Sequence, residues 1–351
     1  MRRVLPGILA ALLTALGLLT LPASPVAALV AIPGHSMSYY VTTISESSAY
    51  NAGLAYGQGV AAGTYAQTSL VILAMGAPAS QTNNGTTTYG VILYGTGAFE
   101  STQYVAQVAD YFAKGFYYGT GSDTTAFLYE GIGANTNSPV VGSNHGAAWA
   151  GMVTNVNSYL STYGYSAQAS AYGAFDIEST WPSGYNASFS AVKAEVDAFA
   201  SGGSALFYNY GSANGCPIEV YNDATCSDSA SPHWTQNNYY YVSWAGAALP
   251  LPENYNTTLV NPMPPPNTGW TSSYNAMQWA AIAEYAYSSL GQTMAFSGSL
   301  SQDYKCNTQG YSCSGTNLTY DKSYQYLYYA LNDYGGLQQT PFAATDFKQG
   351  W

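Results

Sequence analysis

The chain has 351 residues, with 7 basic and 18 acidic side chains, a formal net charge of −11 at pH 7 and only 7% charged residues. So acidic a surface repels phosphate backbones and anionic lipid, which excludes nucleic acids and anionic membranes as partners. The composition is rich in neutral polar groups and includes 35 tyrosines. It suits a protein that meets carbohydrate, because aromatic faces stack on sugar rings and amides bond hydroxyls.

The first residues have the pattern of an export signal, residues 1–28. Arg2 and Arg3 give the positive start, Val4 to Leu21 the apolar core, and Pro25-Val26-Ala27-Ala28 a small-residue cleavage region. Without this segment the chain has five lysines and no arginine against 18 acids, a net charge of −13. A single secreted domain over residues 37–351, detached from the membrane once the signal is cleaved, is expected. Cys216, Cys226, Cys306 and Cys313 all fall in the exported part. Three pairings are possible, and two local bridges, Cys216–Cys226 and Cys306–Cys313, are the expectation, each inside a Gly/Asn/Ser-rich segment. No paired Cys-x-x-Cys motif occurs and there are only three histidines, so neither a metal nor another cofactor is expected. His145 and His233 fall in predicted loops and are expected to be solvated.

Along the chain, His35 to Ser48 is a candidate lead-in strand and Ala49 to Ala66 a small-residue helix. Ser69 to Met75 is a continuous apolar run of the kind a fully buried strand shows. Gln81 to Thr88 is a predicted polar loop, followed by a short strand over Tyr89 to Tyr94. Glu100 to Phe116 has helical spacing at Tyr104, Val105, Val108, Tyr111 and Phe112. Ala126 to Ile132 is a strand, Gly146 to Tyr163 a helix, Ala167 to Glu178 a strand and Phe189 to Ser201 a helix. Ala205 to Tyr210 is the next strand. Further strands are predicted at Tyr239 to Trp244, Tyr274 to Trp279 and Thr293 to Ser297, with a Pro-rich loop over Leu249 to Pro266 and a last helix over Tyr320 to Leu331. Strand and helix alternate about every 30 to 40 residues, which points to an α/β fold, a (β/α)8 TIM-type barrel. The rival is an open doubly wound sheet, but no Gly-rich phosphate loop follows the first strand.

In such a barrel, functional residues gather at the C-terminal ends of the strands. The most informative stretch is Phe175-Asp176-Ile177-Glu178. On a strand, Asp176 and Glu178 share one face, about 7 Å apart, while Phe175 and Ile177 take the other. Two carboxyl groups so placed raise each other's proton affinity, and glycoside hydrolysis uses such a pair, one protonated and one charged. Glu178, nearer the tip, is the candidate acid, and Asp176, deeper and held by hydrogen bonds, the candidate charged partner. Both could instead be structural, bonding loop amides or capping the next helix. The expected sugar-binding rim comprises Glu130, Tyr208, Asn209, Tyr210, Trp244, Gln278, Trp279 and Asp303.

The ordered set Phe175-Asp176-Ile177-Glu178, Phe207-Tyr208-Asn209-Tyr210, Val242-Ser243-Trp244 and Gln278-Trp279 resembles the family 25 glycoside hydrolases, the Chalaropsis-type lysozymes, and related secreted glycoside-hydrolase-like barrels. The resemblance covers about Ser69 to Asp303. It implies a (β/α)8-type barrel with an Asp-x-Glu pair ending the fourth strand, Glu178 as proton donor, Asp176 as acidic partner, and peptidoglycan as substrate. Those lysozymes also carry an aspartate at the end of the first strand. The run matched to it here, Leu70 to Met75, has none. Two functions therefore stand open: hydrolysis of a cell-wall or environmental polysaccharide, and a catalytically silent barrel that binds glycans or serves as a surface interaction module.

Overall fold

The computed structural model describes residues 30–181, 184–203, 205–218, 222–260, 272–333 and 337–351. The predicted export segment and the cluster of prolines at 262–266 lie outside the described residues. Eight parallel strands, counted among the described residues, alternate with seven helices. In chain order they are β1 (His35–Tyr40), α1 (Glu46–Ala61), β2 (Thr68–Ala74), α2 (Thr102–Gly119), β3 (Phe127–Asn135), α3 (Ser143–Thr162), β4 (Ala169–Asp176) and α4 (Phe189–Gly202). There follow β5 (Phe207–Asn209), α5 (Gln236–Trp244), β6 (Ala248–Pro250), α6 (Tyr274–Leu290), β7 (Gly298–Ser301), α7 (Tyr320–Asp333) and β8 (Ala343–Gln349).

The sheet runs β7-β8-β1-β2-β3-β4-β5-β6. The ring is completed across the β6–β7 seam. Ser297 N donates to Pro250 O at 2.9 Å, Leu300 N to Pro252 O at 3.0 Å, and Asn254 N to Leu300 O at 2.8 Å. Prolines are tolerated there because the seam uses their carbonyls, while Leu251 N and Glu253 N donate to the β5 side, at Asn209 O and Gly211 O. This is the TIM-type barrel the alternation implied. Leu70, Ile72, Ala174, Tyr208, Leu300 and Phe347 help to fill its interior. Outward residues such as Met37, Val71, Leu73, Phe175 and Ile177 pack under the helices.

Three predicted strands are corrected. Tyr239 to Trp244 lies within α5, because Thr235 and Asn238 form a capping box and Tyr239 and Val242 bury one helical face. Tyr274 to Trp279 opens α6, where Ser273 caps Ala276 N and the alanine-rich sequence favours helix. The strand expected at Thr293 to Ser297 lies at Gly298–Ser301 instead, and β8 was not foreseen. The predicted loop Gln81 to Thr88 belongs to a hairpin of strands Gly76–Asn83 and Thr86–Leu93. Its turn is Asn84-Gly85, both at positive φ (51° and 78°), the backbone a type I′ turn demands.

His145 is not a loop residue either. It is fully buried in α3, with Nδ1 2.6 Å from Glu195 Oε1 on α4 and Nε2 3.2 Å from Gly90 O on the hairpin. The contact ties the hairpin to the helical layer. His233 is exposed, as expected, and lies 2.9 Å from Asp228 Oδ1.

Helices α1 and α2 approach so closely that only glycine fits between them. A Cβ on Gly115 would lie 2.1 Å from Tyr50 O, and one on Gly53 2.0 Å from Phe112 O. Gly115→Ala must push the helices apart and is expected to cost about 1–3 kcal/mol, seen as a lower melting temperature. Gly151→Ala is the control. That glycine is exposed in α3 with nothing within 4 Å of its would-be Cβ, and the change is expected to raise the melting temperature slightly through helix propensity.

Candidate active site

The strand tips open into a cavity of about 330 Å³. Asp176 ends β4 and Glu178 lies two residues beyond, both turned inward, as the alternation of β4 predicts. Thr136, just after β3, fixes this tip. Its N–H donates to Asp176 O at 3.0 Å, and its Oγ1 accepts from Glu178 N at 3.2 Å. A third carboxyl, that of Glu253 beyond β6, joins them. One oxygen from each of Asp176, Glu178 and Glu253 lies within 4.8 Å of the other two.

Asp176 is 6% and Glu253 3% exposed. Ser212 Oγ donates to Glu178 Oε1 at 2.5 Å, and Tyr255 Oη donates to Glu253 Oε2. Asp176 Oδ1 is buried without a hydrogen-bond partner, so the hydrogen bonds expected to hold this carboxylate charged are absent at that oxygen. Burial, with the neighbouring acids, pushes the Asp176 and Glu253 carboxyls well above the usual range. Glu178 rises only to about 7, because burial is opposed by hydrogen bonds from Ser212 and from Glu253. Burial and the neighbouring Glu178 thus favour the protonated form of Glu253.

Around the acids, Tyr40, Tyr94 and Tyr255 supply aromatic and hydroxyl surface, Asn214, Asn256 and Asn275 supply amides, and Trp181 lies at the edge. Lys305 is the one cation among the described residues of the lining, with its Nζ 4.2 Å from the centroid of the Tyr40 ring. It immediately precedes Cys306 of one of the two bridges observed, Cys216–Cys226 and Cys306–Cys313, which are the two expected pairings. The all-oxygen trio could also hold a hard divalent cation, whereas the nitrogen and sulfur ligands zinc prefers are missing from it.

Of the predicted site residues, only Asp176 and Glu178 line the cavity. Glu130 is fully buried in mid-strand on the helical side; both its carboxyl oxygens lack partners, and burial, aided by Asp110 of α2, pushes its pKa well up. Tyr208 and Tyr210 fill the barrel interior, and burial, aided by Asp176 and the neighbouring tyrosines, pushes the Tyr210 hydroxyl's pKa well up. Asn209 is bound by Ser243 at 2.7 Å and by Gly211 N. Trp244 packs against the outer core. Gln278 donates to Cys216 O at 2.9 Å, and Trp279 is buried against Tyr239 and Phe296. Asp303 accepts from Asn307 at 2.5 Å and braces its own turn. Placing Trp244, Gln278 and Trp279 on strand ends failed because these segments are helices.

Glu253 was missed. The signal was an acid in Leu251-Pro252-Glu253, just past a short strand. The first-strand assignment also shifts. Leu70 to Ala74 lies in β2, with Met75 just beyond it; the first strand is β1, and its tip carries Tyr40 rather than an acid.

A carboxyl whose pKa is raised by folding stabilises the fold fully below its unfolded value and loses that contribution as pH rises through the folded value. For Glu178 the window runs from about 4.5 to about 7. Wild-type protein is therefore expected to lose stability between pH 5 and pH 8, by up to about 3 kcal/mol from this group. Thermal melts of Glu178→Gln across that range should show a clearly smaller drop.

Among the described residues no helix is long and apolar enough to cross a membrane. No family model matches the chain, and no curated protein matches it. Among solved structures it is similar to CJP38, a beta-1,3-glucanase and allergen of Cryptomeria japonica pollen, at 12% identity, over 90% of this chain and 89% of that one, with a TM-score of 0.32. A likeness that distant bears on neither mechanism nor substrate.

Proposed function

We propose that the protein is a secreted glycoside hydrolase acting on a cell-wall or environmental polysaccharide, peptidoglycan among them. The observation that carries this reading is the trio of carboxyl groups at the floor of a cavity walled by tyrosines, amides and a tryptophan. The position of Asp176 and Glu178 at the end of the fourth barrel strand agrees with the family resemblance noted in the sequence. Two disulfides suit export.

The roles drawn from sequence change in this reading: Glu178, expected as the acid, is the charged member, the acid is Glu253, and Asp176, expected to be charged, is neutral. Near neutral pH the trio holds protons on Asp176 and Glu253 and its charge on Glu178, the member with the lowest pKa. Glu253 gives its proton to the leaving glycosidic oxygen, which takes the place Glu178 now occupies as acceptor. Glu178 meets the positive charge that develops at the anomeric carbon, or bonds to it. Glu253, now a carboxylate, then draws a proton from the incoming water. One oxygen of each carboxyl lies within 4.8 Å of an oxygen of the other, which sits closer to the separation of about 5–5.5 Å in retaining enzymes than to the about 6.5–9.5 Å of inverting ones. Asp176 stays neutral and keeps charge from collecting below the pair.

The test is product release from purified cell walls, chitin and β-glucans. Glu178→Gln and Glu253→Gln should each lower the rate by about 100-fold or more, as loss of an acid–base group does. Wild-type activity should rise with pH through about 7, as Glu178 ionises, and fall again once Glu253 loses its proton. The first product should keep the anomeric configuration by NMR. Retention on the solid glycan with no release by wild type would favour the silent binding barrel instead, a reading supported by the acid-free tip of β1.

A further inference from the structure

Lys305 lines the same cavity as the three acids but makes no salt bridge with them. Among the described residues it forms no ion pair at all, whereas Lys193 meets Asp197 at 2.5 Å. Its ammonium lies instead over the ring of Tyr40. The position is well braced. Tyr40 stacks on Phe347 of β8, with centroids 4.2 Å apart and planes 24° apart. The short turn Tyr304–Thr308 carries the lysine, and Tyr304 N ties it to β8 by donating to Asp346 Oδ2 at 2.8 Å. The Cys306–Cys313 bridge ties the same turn to the loop beyond. Half-burial lowers the pKa of Lys305, and the Glu253 carboxyl opposes that fall. The cation therefore bears a desolvation cost without the close ion pair that would offset it.

The amides of the lining add donors to this cation, and the backbone fixes which way they face. Asn256 Oδ1 accepts from Thr258 N at 2.8 Å, and Asn275 Oδ1 accepts from Asn256 N at 3.2 Å. Asn275 must then donate through Nδ2, which it does to Asn214 Oδ1 at 3.0 Å. Each amide oxygen thus already accepts a bond. Among the described residues, the Nδ2 groups of Asn214 and Asn256 have no partner. The loop at 315–316 draws the amides and the lysine together. Gln302, just before the turn of Lys305, donates to Thr316 O at 3.0 Å, and Thr257 N donates to Gly315 O at 2.9 Å.

An ammonium and two amide N–H groups ask for an acceptor, and the ammonium asks for a charged one. A sugar hydroxyl can accept from the amides but leaves the cation unanswered, whereas a carboxylate accepts at both oxygens and supplies the opposite charge. The chain's net charge of −11 disfavours a densely charged polymer, so the fit is an acidic unit set among neutral ones. We infer that Lys305, with Asn214 and Asn256, binds the carboxylate of a uronic acid unit, so that the cavity takes a polysaccharide carrying such units over a wholly neutral one. The inference rests on the reading of the cavity as a glycan site but not on hydrolysis, because a silent barrel would show the same preference.

The experiment is isothermal titration calorimetry of the full chain with oligosaccharides that each carry one glucuronic or galacturonic acid unit. Every probe is paired with its carboxyl-reduced, neutral counterpart. Wild type, Lys305→Met and Lys305→Arg are compared, and each is repeated with Glu178→Gln so that cleavage of a probe does not interfere. Wild type is expected to bind at least one acidic probe about tenfold or more tightly than its counterpart, as a charge-assisted hydrogen bond supplies, with the difference shrinking as salt is added. Lys305→Met should erase the difference and leave the neutral probe within about twofold, while Lys305→Arg, which keeps the charge, should retain most of it. Circular dichroism checks that both variants fold. Equal affinity for both members of every pair overturns the inference, as does binding of no acidic probe. Weakening of acidic and neutral probes alike in Lys305→Met assigns the lysine to the acids instead and also overturns it. Product release, measured separately, decides the hydrolytic reading. An acidic probe held through Lys305 but never cleaved refutes hydrolysis and leaves this inference standing.

Discussion

Three carboxyl groups with an oxygen each within 4.8 Å of the others, two of them buried and Glu178 half-buried, cannot all readily carry charge. Each ionisation makes the next harder, and burial penalises all of them. The site must therefore hold protons at a pH where free carboxyls have lost theirs. Tyr94, Tyr210 and Tyr255 crowd the same space, and their own acidity is suppressed by burial and by the acids beside them. The cavity is accordingly a store of protons in a very acidic protein, and its chemistry follows from where the remaining negative charge settles. Ser212 decides that locally, by donating to Glu178.

The barrel supplies the confinement. Asp176 and Glu178 come from the fourth strand and Glu253 from just past the sixth, with β5 between them. Glu253 also sits on the seam that closes the ring, where its N–H bonds Gly211 O and its neighbours Pro252 and Asn254 bond Leu300. Closure of the barrel and assembly of the trio are thus one event. The outer layer braces the same mouth: the hairpin after β2 ends beside Tyr94 and is pinned at Gly90 by the buried His145–Glu195 pair.

The parts that were legible in the sequence are those where one local signal acted alone. The alternation of apolar runs and helical stripes up to Tyr210 gave the parallel barrel. The period-two pattern at Phe175 to Glu178 put both acids on the inward face. Both disulfides followed from loop composition. Beyond Tyr210 competing signals misled. A run of tyrosines suggested a strand where the capping box at Thr235 sets a helix, and Gln278-Trp279 looked like a strand tip inside an alanine-rich helix. β7 and β8 are short or polar, and their burial comes from neighbours rather than from their own pattern. Glu253 was hidden for a related reason. Its partners lie 75 and 77 residues away in sequence, and only closure of the ring brings them together.

The central claim is that the trio shares its protons and leaves one charge, on Glu178, near neutral pH. Carbon-13 NMR of the Asp and Glu side-chain carboxyls, titrated from pH 4 to pH 9 with Asp176→Asn, Glu178→Gln and Glu253→Gln for assignment, measures this directly. The account predicts a Glu178 midpoint near 7, with Asp176 and Glu253 still protonated there. Three ordinary titrations, all complete below about pH 5, would contradict it.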